Sequence, residues 1–118
     1  MVRRNAFVGK EKSESDRLFD ALGDPTRRAL LEMVRERPQS ATMLAEPLGI
    51  SLTAVGQHMD ILEACGLVRT EKVGRVRTCQ FASKGLDTLV DWARAHRTEW
   101  ERRLDGIALI LAEEDKGE

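Results

Sequence analysis

At 118 residues the chain is long enough for one domain with a modest core and too short for two independent ones. Its 19 lysines and arginines against 20 aspartates and glutamates leave a net charge of −1, which argues against indiscriminate binding to nucleic acid but leaves room for a local basic patch. No apolar run approaches the ~20 residues of a membrane span.

The opening "MVRRNAFVGKEKSES" lacks the apolar region and cleavage site of a secretory signal, so a soluble, cytoplasmic protein with no membrane partner is expected. Cys65 and Cys79 are too few for a disulfide framework and form no C-x-x-C motif. The expected organisation is a flexible arm over residues 1–12, one domain over 13–112 and the acidic tail "EEDKGE" over 113–118.

Helix punctuation divides the domain. Ser13 with Asp16 three residues on has the form of a capping box; Leu18, Phe19 and Leu22 make an apolar stripe, and Gly23 offers a stop. Asp24 and Pro25 open a second helix carrying Leu30, Leu31 and Val34, which Pro38 ends. Ser40 caps a short third helix with Leu44 and Leu48, closed by Gly49, and Pro47 is tolerated in its last turn. Ser51 caps a fourth helix, over residues 52–65, and Gly66 ends it.

After Gly66 the hydrophobic period changes from helical to alternating. "LVRTEKVGRVRTCQFA", residues 67–82, has Gly74-Arg75 at its middle, fitting a two-residue hairpin turn with glycine first. That turn pairs Val73 with Val76, Lys72 with Arg77, Thr70 with Cys79 and Val68 with Phe81, and the face carrying Val68, Cys79 and Phe81 should pack on the core. From Ser83 a long last helix carries Leu86, Leu89, Val90, Ala93, Trp100, Leu104, Ile107, Ala108 and Leu111 at spacings of three and four. Trp92 and His96 widen its apolar stripe beyond what one small neighbour can cover, so part of it is expected to meet a second chain.

On the fourth helix Val55, Met59 and Leu62 share one side, flanked by Leu52 and His58, while Thr53, Gln57, Asp60 and Ala64 lie opposite. A core helix needs only the first side. A short helix, the turn "LGIS" and a longer helix also match the helix-turn-helix, whose second helix presents its N-terminal side chains to the major groove. Gln57 has the amide oxygen and nitrogen that pair with adenine, and Ala54 or the Thr53 methyl suits a thymine methyl.

From Leu67 to Lys84 there are five basic residues, Arg69, Lys72, Arg75, Arg77 and Lys84, against Glu71 alone. Lys72 facing Arg77 across the strands opposes pairing, a conflict that phosphate would relieve. The alternative for this hairpin is a solvated tip.

"LFDALGDPTRRALLEMV", "LAEPLGISLTAVGQHMDILEACGLV", "TEKVGRVRTC" and "DWARAHRTEWERRL" together resemble the ArsR family of winged helix-turn-helix regulators, over Arg17 to Leu111. The resemblance implies a mainly α fold of five helices with a β-hairpin wing. It also implies a homodimer joined through its first and last helices, binding double-stranded DNA at a near-palindromic operator, and members typically repress transcription. Carried over position by position, DNA contact falls to Ser51, Thr53, Ala54, Gln57 and His58 on the helix and to Arg75 and Arg77 on the wing, with Lys72 joining them by its charge. Two positions depart from the pattern. Gly56 stands where relatives commonly have Ser, and Asp60 where many carry Lys, so Asp60 replaces a phosphate contact with an acceptor that can orient an arginine or take a cytosine amino group.

Metal-responsive relatives need ligands, and "ATMLAEPLGI" in the third helix has neither Cys nor His. His96 and Glu99 resemble half of a zinc site, but the other half falls on Ser83 and Gly85, so no metal and no cofactor is expected. Cys65 and Cys79 read as core thiols, with a thiol-responsive switch as the alternative. No phosphate-cradling loop, nucleophile elbow or paired-carboxylate arrangement points to an enzyme. Asp60 keeps open a winged helix that binds protein instead of DNA, and no small-molecule inducer is specified.

Overall fold

The computed structural model describes residues 12–116, in two compact units that divide between Thr88 and Leu89. All but the last residue of the expected arm, and the final two of the expected tail, lie outside the described residues.

In the first unit the helix starts are set by side-chain acceptors. α1 (Glu14–Leu22) opens on a reciprocal capping box: Ser13 Oγ accepts the Asp16 amide at 3.1 Å and Asp16 accepts the Ser13 amide at 3.2 Å. α2 (Pro25–Glu36) follows Asp24, whose carboxylate accepts the amides of Thr26 and Arg27. α3 (Ala41–Leu48) and α4 (Leu52–Ala64) begin at Ser40 and Ser51, which accept the amides of Met43 and Ala54 at 3.2 and 3.0 Å. Gly49, at φ +63°, closes α3 in the left-handed region, and Pro47 sits in its last turn. Only Gly49, Ile50 and Ser51 separate the two helices.

β2 (Val68–Val73) and β3 (Val76–Phe81) pair in the register read from the turn, Val73 with Val76 and Val68 with Phe81. Gly74 has φ +64° while Arg75 keeps an ordinary negative φ, the pattern of a glycine-first turn. One strand was not foreseen. β1 (Gln39–Ser40) adds to β3 and makes the sheet order β1-β3-β2. Two residues carry no alternation, and β1 exists because β3 lends it partners; buried Gln39 also donates to the Met33 carbonyl at 2.6 Å.

Leu18, Leu30, Val34, Leu44, Val55, Met59, Leu62, Leu67 and Cys79 are the largest fully buried side chains of the core. α1 contributes Leu18 and Ala21 to it; Phe19, expected in the stripe, is 43% exposed. Val68 and Cys79 pack inward as the alternation predicts.

α5 (Lys84–Lys116) starts in the first unit and makes up the described part of the second. It runs about 50 Å, through four residues of the stretch read as an acidic tail. Along it, Arg97 pairs with Glu101 at 3.0 Å and Arg103 with Glu99 at 2.7 Å, one turn apart. The Trp92 and His96 rings stack at 3.9 Å. No described helix is long and apolar enough to cross a membrane.

Candidate nucleic-acid interface

A helix can read DNA only if one side is anchored and the other stays open. Val55, Met59 and Leu62 of α4 are 0% exposed. Ser51, Thr53, Gln57 and Asp60 are exposed, and Ala54 is half-buried between the two sets. Ser51 uses a lone pair on the Ala54 amide, which leaves its hydroxyl proton for a second acceptor. Leu52, read as flanking the core, is instead 55% exposed. It lines a shallow cleft of about 210 Å³ with Ser40, Thr42, Arg75 and Arg77, where the wing approaches the N-terminal ends of α3 and α4.

Lys72 and Arg75 are exposed on the wing. Arg77 is not presented in the same way. Its Nη2 donates to Asp60 Oδ1 at 2.7 Å, and its side chain is 28% exposed against 69% for Asp60. The like-charge conflict between Lys72 and Arg77 is therefore relieved inside the chain, by Asp60, where phosphate had been expected to do it. Of the two roles open to Asp60, orienting an arginine is the one the structure displays.

His58 is also engaged from within. Its Nδ1 lies 3.3 Å from Arg27 Nη1, and because a guanidinium only donates, Nδ1 is the acceptor. Arg27 further donates from Nε to the Ala21 carbonyl at 2.7 Å and from Nη2 to the Asp20 carbonyl at 3.2 Å. It thereby satisfies carbonyls at the end of α1 while holding α4. Desolvation pushes the Asp24 carboxyl up, but the amides of Arg27 and Thr26 and the charge of Arg27 outweigh it and hold the group below its ordinary value.

Of the eight residues expected at DNA, Ser51, Thr53, Ala54 and Gln57 lie on or beside the open side of α4, and Lys72 and Arg75 on the wing. His58 and Arg77 are held by Arg27 and Asp60. Sequence reasoning missed Arg27, Glu63 and Thr70. The signal available for the last two was an acidic pair, Asp60 and Glu63, one helical turn apart and followed directly by a basic hairpin.

Comparison with known proteins agrees with this geometry. A helix-turn-helix domain family model matches residues 22–71, from the end of α1 into β2. The chain is 35% identical over 103 residues to the HTH-type transcriptional regulator Rv2034 of Mycobacterium tuberculosis, spanning 84% of this chain and 90% of that protein. It is 25% identical over 75 residues to the transcriptional repressor SdpR of Bacillus subtilis, spanning 64% of this chain and 83% of that one. An ArsR-like transcriptional regulator from Rhodococcus sp. RHA1 superposes with a TM-score of 0.72 at 36% identity, over 82% of this chain and 92% of that one. The chain belongs to the ArsR family of winged helix-turn-helix transcriptional regulators.

In this ArsR-family protein, no group of three or more His, Cys, Asp or Glu among the described residues is placed to hold a metal ion. His96 gives its Nδ1 proton to the Trp92 carbonyl at 2.9 Å, and Glu99 is taken by Arg103. Burial pushes the Cys65 thiol up, against the pull of Arg17 and Arg27. Burial likewise raises Cys79, opposed by Arg77 and helped by Glu63. Both are thus thiols, not thiolates, at neutral pH, and the thiolate is the reactive form. Iodoacetamide at pH 7 should label Cys65 more slowly than a free cysteine and Cys79 only on unfolding. Rapid native labelling of Cys79, read by mass spectrometry, would reinstate the thiol-switch alternative.

Proposed function

We propose that the protein is a cytoplasmic homodimeric repressor that inserts α4 into the major groove of a near-palindromic operator and lays its wing along the phosphates. One observation carries the reading: the polar side of α4 is open to solvent while its apolar side is fully buried, beside a hairpin rich in basic residues. Thr53, Ala54 and Gln57 contact bases, and Ser51, Lys72 and Arg75 contact phosphates. His58 and Arg77 support them from behind. Asp60 had kept a protein partner open as the alternative, but its pairing with Arg77 offsets the charge it would show to DNA.

Footprinting on the DNA upstream of the protein's own gene should protect two half-sites about one helical turn apart. Duplex affinity that does not change with salt would defeat the reading, because neutralising phosphates releases counterions. Within that experiment, Gln57→Ala should alter discrimination at one base position per half-site by about 1–3 kcal/mol. Arg75→Ala should weaken binding to every duplex and reduce the salt slope by about 0.9 for each phosphate it no longer neutralises.

A further inference from the structure

Four side chains join the outer side of α4 to both strands of the wing. Arg77 Nη2 donates to Asp60 Oδ1 at 2.7 Å and to Thr70 Oγ1 at 3.4 Å. Glu63 Oε2 accepts from the Thr70 amide at 2.7 Å and from the Thr70 hydroxyl at 2.8 Å. The directions are mutually consistent: the Thr70 hydroxyl gives its one proton to Glu63 and offers a lone pair to Arg77. The guanidinium passes across Gly56, where an added Cβ would just touch Nη1 at 3.4 Å and anything longer would share its space. Gly56, Asp60 and Glu63 follow one another at helical spacing, so one edge of α4 receives the wing.

We propose that Arg77 is a positioning residue, held by Asp60 and Thr70 across Gly56, which fixes the wing against the recognition helix and so sets where Arg75 and Lys72 meet the backbone while Thr53 and Gln57 read bases. The proposal rests on the DNA-binding reading above and deepens it. Two physical features favour this role over direct phosphate contact. Arg77 is the better-shielded partner and already has an anionic acceptor. An acidic residue on the DNA-facing side of a recognition helix also opposes binding unless a cation offsets it, and Arg77 does so from the protein side.

The two roles differ in salt dependence. A phosphate ligand, when removed, lowers affinity and takes about 0.9 from the slope of log K against log salt; a positioning residue lowers affinity and leaves the slope unchanged. Asp60→Ala, Arg77→Ala and the double variant would be measured on duplex DNA across a salt series. Each single change should weaken binding about fivefold with the wild-type slope, and the double variant should be no weaker than either single, since both remove the same ion pair. For Asp60→Ala this means a loss of affinity despite removal of a negative charge near DNA. Arg77→Lys, which keeps the charge without the fork, should fall between wild type and Arg77→Ala. A reduced slope in Arg77→Ala, tighter binding by Asp60→Ala, or additive losses in the double variant would each overturn the proposal. Hydrogen exchange of the hairpin amides in the protein alone tests the latch apart from DNA. Exchange should quicken by a similar factor in both single variants and no further in the double. If the wild-type protein fails to bind duplex while this exchange pattern holds, the DNA reading falls and the latch stands; unchanged exchange overturns the latch itself.

Discussion

Replacing Leu104 and Ile107 together by glutamate should convert the protein to a monomer and cost roughly 10²–10⁴-fold in operator affinity, the range forfeited when two linked binding events become one. The reason lies along α5. Trp100, Leu104, Ile107 and Leu111 recur at spacings of four, three and four and are 61%, 58%, 53% and 55% exposed. No residue from 89 to 114 is buried. Helices in water draw most of their stability from packing an apolar side, and an uncovered stripe of this size is rare on a soluble monomer. A second copy of the chain supplies the missing surface in the proposed dimer, and two carboxylates placed in the stripe would have to be desolvated there. Light scattering checks the mass and gel shift checks the affinity. A double variant that stays dimeric would show that this stripe is not the interface.

Gly85→Ala should be the most disruptive small change in the first unit. A Cβ at Gly85 would stand 2.5 Å from the Cys65 carbonyl oxygen and 2.9 Å from Cγ and Cδ2 of Leu67. The nearest obstacle is backbone and the others belong to a fully buried leucine, so none is a flexible end that can swing aside. The Gly85 amide also donates to the Gly66 carbonyl at 2.8 Å, which draws the first turn of α5 tightly onto the turn after α4. Inserting a methyl there forces the two apart, at about 1–3 kcal/mol or more, and lowers Tm by several degrees for each kcal/mol in a domain of this size. Gly56→Ala provides the contrast. Its added methyl meets only the flexible end of Arg77, and replacing a mid-helix glycine stabilises α4 by up to ~1 kcal/mol. Thermal unfolding of the two variants should therefore move in opposite directions, and an unshifted Tm for Gly85→Ala would refute the close approach.

The sequence alone determined what depends on neighbours within a few residues. Ser13, Asp24, Ser40 and Ser51 were legible as caps because a cap is a contact two or three residues long. The hairpin register followed from one glycine-first turn, and the buried side of α4 from the spacing of Val55, Met59 and Leu62. Only the tertiary structure decided which polar side chains remain for a partner. It turned His58 toward Arg27, 31 residues earlier, and Arg77 toward Asp60, 17 residues earlier, pairings that no local period encodes. It also made a strand of Gln39–Ser40 and a tight junction of Gly85, because each is defined by a surface that a distant segment brings to it. Local rules fix backbone conformation and facing, whereas ion pairs and close approaches follow from where the folded elements come to rest.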